Sequence, residues 1–179
     1  MYRRSLKKEI VSVLVDNQAN VLTRVVSMFG RRGFNIDSLT VSATNDPTLS
    51  RITIVFNATE RSMQQIITQT EKLEVVKSIC LLNRENALYR ELLLIKVNNT
   101  DAQRTSIKEI VDVYRGKIVD LSRGSMIIEL TGTPEKLDGF LDMMSTYEIV
   151  EVCRTGLTGI ESAPTTDKQR NSSKTEHIK

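Results

Sequence analysis

Apolar and polar positions along this chain switch repeatedly between the period of a strand and the period of a helix. Residues 9–15 carry apolar side chains on both faces, which suits a strand central in a sheet or covered on both sides. The polar run Asp16-Asn17-Gln18-Ala19-Asn20 predicts a turn. Val21, Leu22, Val25, Val26 and Phe29 then recur at helical spacing, with Arg24, Arg31 and Arg32 off the stripe. Cations in a last turn suit the helix dipole, and Gly33 supplies a stop. Residues 34–43 predict a second strand, Asn45-Asp46-Pro47 a turn, and residues 49–57 a third strand. In that third strand Ile52, Ile54 and Phe56 alternate with Arg51, Thr53 and Val55. Thr59 or Ser62 caps a helix with Met63, Ile66, Ile67 and Thr70 on one face, and residues 73–82 predict a fourth strand.

After a polar linker at residues 83–86 the same order returns. It comprises a strand over 88–97, a helix opened by Thr100 or Asp101 and ended at Gly116, strands over 117–121 and 125–130, a helix from Thr133-Pro134, and a strand over 147–153. The helices carry Ile107, Ile110, Val111 and Tyr114, then Leu137, Phe140, Leu141 and Met144. The fold expected is therefore α+β, two tandem ferredoxin-like βαββαβ modules over residues 1–82 and 83–160. The repeat lies in element order and hardly at all in residues. Residues 161–179 are rich in Ser, Thr, Lys, Gln and Asn, too polar to offset ordering entropy, and predict a disordered tail.

Composition refines this picture at a few points. The 179 residues suffice for two small modules, whose modest buried fraction favours pairing with each other or with another chain. Trp is absent and aromatics make up 4%, so the core is aliphatic. The net charge of +3 lacks the concentrated basic face of a nucleic-acid binder, and Arg3, Arg4, Lys7 and Lys8 read as a solvated end. No apolar run approaches the roughly 18 residues of a membrane span, and strand pattern from Glu9 leaves no room for a targeting peptide. Cys80 and Cys153 each end an apolar run without a Cys or His companion, and read as small hydrophobes.

Catalytic chemistry finds little to stand on. The single histidine, His177, sits in the tail; carboxylates are scattered singly; no phosphate-binding or nucleophile-elbow motif occurs. These features point away from an enzyme and offer no metal site. The βαββαβ order is shared with RNA-recognition modules, which stack bases on aromatics of the central strands. Residues 50–56 offer one aromatic there and residues 126–130 none, which disfavours RNA.

The informative segment is the first turn. A strand running into a short polar turn that opens a helix leaves backbone N–H groups free for a carboxylate. Asn side chains add a donor and an acceptor each. Asn17, Asn20, the amides of Val21 and Leu22, and Asn35 with Ile36 entering the second strand are the candidate set for a small free amino acid. This set needs residues 35–36 to face the same end of the sheet as the turn. Spacing alone favours Asn17 and Asn20 as ordinary turn and cap residues.

At this segment a resemblance emerges. Residues 12–17 with 21–25 resemble the opening of an ACT domain. Residues 29–41 (Phe-Gly-Arg-Arg-Gly-Phe-Asn-Ile-Asp-Ser-Leu-Thr-Val) and 46–54 resemble the regulatory (small) subunit of acetolactate synthase, also called acetohydroxyacid synthase. Residues 90–97, 114–120, 132–138 and 149–156 extend the likeness to roughly residues 8–160. It implies a non-catalytic chain with an N-terminal ACT domain and a C-terminal ferredoxin-like domain. Such a chain binds and activates a catalytic (large) subunit that uses thiamin diphosphate, Mg and FAD, and confers feedback inhibition by valine. The resemblance places the effector between the ACT domains of a homodimer, at Asn17, Asn20, Val21, Leu22, Asn35 and Ile36. It implies no nucleic-acid or membrane partner, and a bacterial cytoplasm or plastid stroma as the compartment. This chain departs from the family at Asn20, where Gly is usual. Other readings are an ACT-type sensor for a different biosynthetic enzyme and a tandem RNA-binding module.

Overall fold

The computed structural model describes residues 6–83 and 85–162. Arg3, Arg4 and Arg84, and the part of the expected tail that includes His177, lie outside the described residues.

The first module runs β1 (Lys7–Asp16), α1 (Val21–Arg31), β2 (Ile36–Ala43), β3 (Leu49–Ala58), α2 (Glu60–Glu71) and β4 (Val76–Leu82). Its antiparallel sheet has the order β2-β3-β1-β4. Alternation decides which face is covered. Val11, Val13 and Val15 of β1 and Ile52, Ile54 and Phe56 of β3 are buried, as are Val21, Val25 and Phe29 of α1 and Met63 and Ile66 of α2. Phe29, Phe34 and Phe56 meet edge to face, with centroids 5.1 to 6.3 Å apart. Ser12, Thr53 and Val55, on the alternate positions, are also buried. This matches the two-sided apolar pattern expected of the first strand.

The second module runs β5 (Ala87–Asn98), α3 (Asp101–Val113), β6 (Lys117–Leu121), β7 (Ser125–Gly132), α4 (Pro134–Met144), β8 (Ile149–Arg154) and β9 (Thr158–Glu161). Its sheet has the order β6-β7-β5-β8, and β9 also pairs with β5. Leu93, Ile95 and Val97 of β5 and Met126, Ile128 and Leu130 of β7 form the core with Ile107 and Val111 of α3 and Leu137, Phe140 and Met144 of α4.

The helices start where side-chain chemistry says they should. Thr59 Oγ1 accepts the Ser62 N–H while Ser62 Oγ accepts the Thr59 N–H, so the two candidate caps act as one capping box. Thr133 caps α4, with Pro134 at its first position. The element absent from the sequence reading is β9. Its four residues are too few and too polar to show a period, and Glu161, the first residue of the expected tail, lies in it. Ser162 N–H donates to Asn86 O at 2.7 Å.

Contacts divide the chain into two compact units. One comprises residues up to Asp37, Val41–Leu88 and residues from Gly159 on; the other comprises Ser38–Thr40 and Tyr89–Thr158. Among the described residues no helix is long and apolar enough to cross a membrane.

Candidate effector site at the first turn

Ten residues of β1 pair with β3 in unbroken antiparallel register, from Lys7 opposite Ala58 to Asp16 opposite Leu49. This register fixes where β1 ends and aims the turn after it. Asp16 is held by its N–H to Val75 O at 2.9 Å and by its carboxylate to Lys77 Nζ at 2.8 Å. Asn17 is clamped to the β2–β3 turn twice: its N–H donates to Thr48 O at 2.7 Å, and Nδ2 donates to Pro47 O at 2.9 Å. With Nδ2 committed, Oδ1 is the Asn17 atom that can accept from a ligand.

The β2–β3 turn is itself braced by Asp46. Its Oδ1 accepts the Thr48 hydroxyl at 2.6 Å and the Thr48 N–H at 2.9 Å. The hydroxyl first, and the amide second, hold the Asp46 carboxyl below its ordinary value.

Asn20 is the N-cap of α1 and stands at φ 67°, ψ 0°, the left-handed region, with no side-chain capping bond. Its carbonyl accepts the first helical bond, from Arg24 N–H at 3.1 Å. The left-handed residue turns the chain sharply into the helix; the Val21 N–H makes a long bond back to Gln18 O at 3.5 Å, and the Leu22 N–H is among the first-turn donors that have no carbonyl four residues back within the helix. The Val21 side chain is buried. Leu22, 40% exposed, offers apolar surface beside it. Asn17, Asn20, Val21 and Leu22 thus form one cluster of donors, one acceptor and one apolar side chain.

Asn35 and Ile36 are not part of that cluster. The expectation that they face the same end of the sheet is corrected by the topology. Asn57 Nδ2 donates to Asp37 Oδ2 at 2.8 Å, so the start of β2 lies beside the end of β3, and the end of β3 lies opposite Lys7 at the start of β1. Asn17 and Asn20 sit at the other end, a strand length of roughly 30 Å away. The cause is elementary: α1 carries the chain back along the sheet before β2 begins. Asn35 Nδ2 donates to Asp37 Oδ1 at 3.2 Å, within its own strand entrance.

That far end holds a cavity of about 670 Å³ lined by Lys7, Glu9, Thr59, Glu60 and Met63 among others. Burial first, and then the Glu60 charge, push the Glu9 carboxyl up, against the lowering effect of Lys7. Burial also pushes the Cys80 thiol up, disfavouring the thiolate. Among the described residues no group of three or more His, Cys, Asp or Glu side chains is placed to hold a metal.

Comparison with known proteins adds to this geometry. Residues 11–78 match the ACT domain of acetohydroxyacid synthase small subunits, and residues 90–163 match the family described as small subunit of acetolactate synthase. The acetolactate synthase small subunit of Buchnera aphidicola is 38% identical over 154 residues, covering 86% of this chain and 98% of that one. The chain belongs to the family of acetolactate synthase small subunits. The corresponding protein of Mycolicibacterium smegmatis is 43% identical over 154 residues, covering 86% of this chain and 91% of its own. A solved small subunit from Thermotoga maritima superposes with a TM-score of 0.83 at 35% identity, over 89% of this chain and 99% of that one. The first module is therefore an ACT domain, as the resemblance implied.

Proposed function

We propose that this chain is the non-catalytic regulatory subunit that binds and activates an acetolactate synthase catalytic subunit and confers feedback inhibition by valine in branched-chain amino acid biosynthesis. The observation that carries the effector reading is the cluster at the first turn. The Leu22 amide, and the Val21 amide by exchanging its long 3.5 Å bond to Gln18 O, meet the ligand at the α1 N-terminus, where a carboxylate is favoured by both hydrogen bonding and the helix dipole. In this reading Asn17 Oδ1 accepts from the ammonium, with Asn20 beside it in the turn. Leu22 faces the small aliphatic side chain.

One chain offers only half of such a site. Asn35 and Ile36 lie at the far end of the sheet, so they can meet a bound amino acid only across a two-fold axis, from a second copy. Strand β2 is an edge of its sheet, with Val41 exposed. Edge strands pair readily with a second chain, which supports a homodimer through the ACT domains. Valine held across the two copies stabilises one arrangement of the pair, and that arrangement activates the catalytic subunit less well. The condensation chemistry, with thiamin diphosphate, Mg and FAD, belongs to the catalytic partner.

The test is acetolactate formation by the catalytic subunit, with and without this chain, across a valine titration. The expected outcome is a rate that rises on adding the chain and falls back with valine. A rise that valine does not reverse removes the effector reading, and no rise removes the activating role.

A further inference from the structure

The two modules place an asparagine at the same point. Asn17 follows the last residue of β1, and its N–H bonds Thr48 O, the carbonyl just before β3. Asn99 follows the last residue of β5, and its N–H bonds Gly124 O at 2.9 Å, the carbonyl just before β7. The bridges alongside also correspond, Asp16 to Leu49 and Asn98 to Ser125.

Their side chains do different things. Asn17 Nδ2 donates to Pro47 O, one residue before Thr48. The equivalent carbonyl, Arg123 O, is taken instead by Arg104 Nη2 at 2.5 Å, which also reaches Ser122 O at 3.2 Å. Arg104 Nε donates to Asn99 Oδ1 at 2.8 Å. A guanidinium only donates, so the atom facing it is the amide oxygen. Asn99 Nδ2 is then left buried with no partner among the described residues, in a side chain only 6% exposed. A buried donor without an acceptor is an unfavourable arrangement that native folds rarely keep without cause.

We infer that Arg104 is the arm of a second site, for a small carboxylate, at the N-terminus of α3, and that Asn99 holds it under tension. Arg104 is the accessible partner, 33% exposed, and its Nη1 already pairs at 3.0 Å with a carboxylate, that of Asp101, itself 92% exposed. A free carboxylate competes with Asp101 for a planar fork that matches it in two bonds. When the guanidinium turns to that ligand, Ser122 O and Arg123 O are released. Asn99 Nδ2 then takes Arg123 O, the bond Asn17 already makes in the first module, and the unpaired donor disappears. The recognised group is an anion because the guanidinium only donates and already holds a carboxylate, that of Asp101, which the ligand displaces. The inference is independent of the valine reading, which concerns the other module.

The experiment follows the Asn99 side-chain NH₂ resonances of the ¹⁵N-labelled full chain during titration with sodium acetate at constant ionic strength, with inorganic phosphate as the second arm. Acetate is expected to move both resonances in a saturable way. Asn99→Asp keeps the acceptor for Arg104 but cannot donate to Arg123 O, and is expected to weaken acetate binding by about tenfold, read by calorimetry. Asp101→Asn removes the internal competitor and is expected to tighten it about threefold. Resonances that stay fixed, or affinities that neither variant changes, overturn the inference and assign Nδ2 to a buried water. An equal response to phosphate overturns the carboxylate class.

Discussion

At the scale of single residues, Asn20 is the position where conformation and chemistry are hardest to separate. Its φ of 67° is unfavourable for most L residues, and Asn is among the few with a side chain that tolerate it. Asn20→Val is therefore expected to lower stability by roughly 1–2 kcal/mol. Asn20→Gly is expected to change it by less than about 0.5 kcal/mol. Urea denaturation of the full chain separates these outcomes, and equal stabilities for the two variants would remove the left-handed constraint from the account. The sequence marked this residue as a cap, as a candidate ligand and as a departure from the family's usual Gly, and the backbone angle explains why Asn is the tolerated replacement. Asn17 was legible as a turn residue and as a candidate ligand. Its clamp on the 46–48 turn was not, because that bond joins residues 30 apart and periodicity sees only near neighbours.

Elements were legible wherever a period or a cap marks them. Thr59, Thr100 and Thr133, each among the expected caps, open their helices, and the apolar stripes of the helices face the cores except at Leu22, which is exposed. The ion-paired corner of the second module carried no such mark. Arg154 at the end of β8 donates through both Nε, at 3.0 Å, and Nη2 to Glu91 Oε2 on β5, and through Nη1 to Asp138 Oδ1 on α4 at 2.6 Å. Glu91 is only 8% exposed, so its charge depends on that guanidinium. Arg154→Leu strands a buried carboxylate and is expected to destabilise by about 3 kcal/mol or more at neutral pH, with part of the loss recovered in Glu91→Gln/Arg154→Leu. Asp138→Asn, on the exposed side, is expected to cost less than about 1 kcal/mol. Thermal melts of the four proteins decide it. A double variant no better than Arg154→Leu alone would show that the guanidinium matters for packing and not for the Glu91 charge.

For the whole molecule, the repeat of element order settled the fold class from sequence, because hydrophobic period survives when residue identity between copies does not. What order cannot convey is which end of a sheet a residue occupies, and that is where the candidate site had to be divided. Residues 17–22 and residues 35–36 belong to opposite ends of one ACT domain, so the proposed effector site needs residues 17–22 from one copy and 35–36 from another. This division has a consequence that a one-chain site lacks. Asn17→Ala and Asn35→Ala chains should each fail to bind valine alone. After unfolding and refolding together in equal amounts, half the dimers are mixed, and each mixed dimer holds one site with both asparagines intact. About one quarter of all sites should then bind valine at the native affinity, measured by calorimetric stoichiometry. A site built within one chain gives no recovery at any mixing ratio, because every chain keeps its own lesion. Recovery near one quarter would therefore establish both the dimer and the shared site. Its absence, with both variants folded, would confine the effector to the turn before α1 and leave Asn35 as the brace of Asp37 that the single chain already displays.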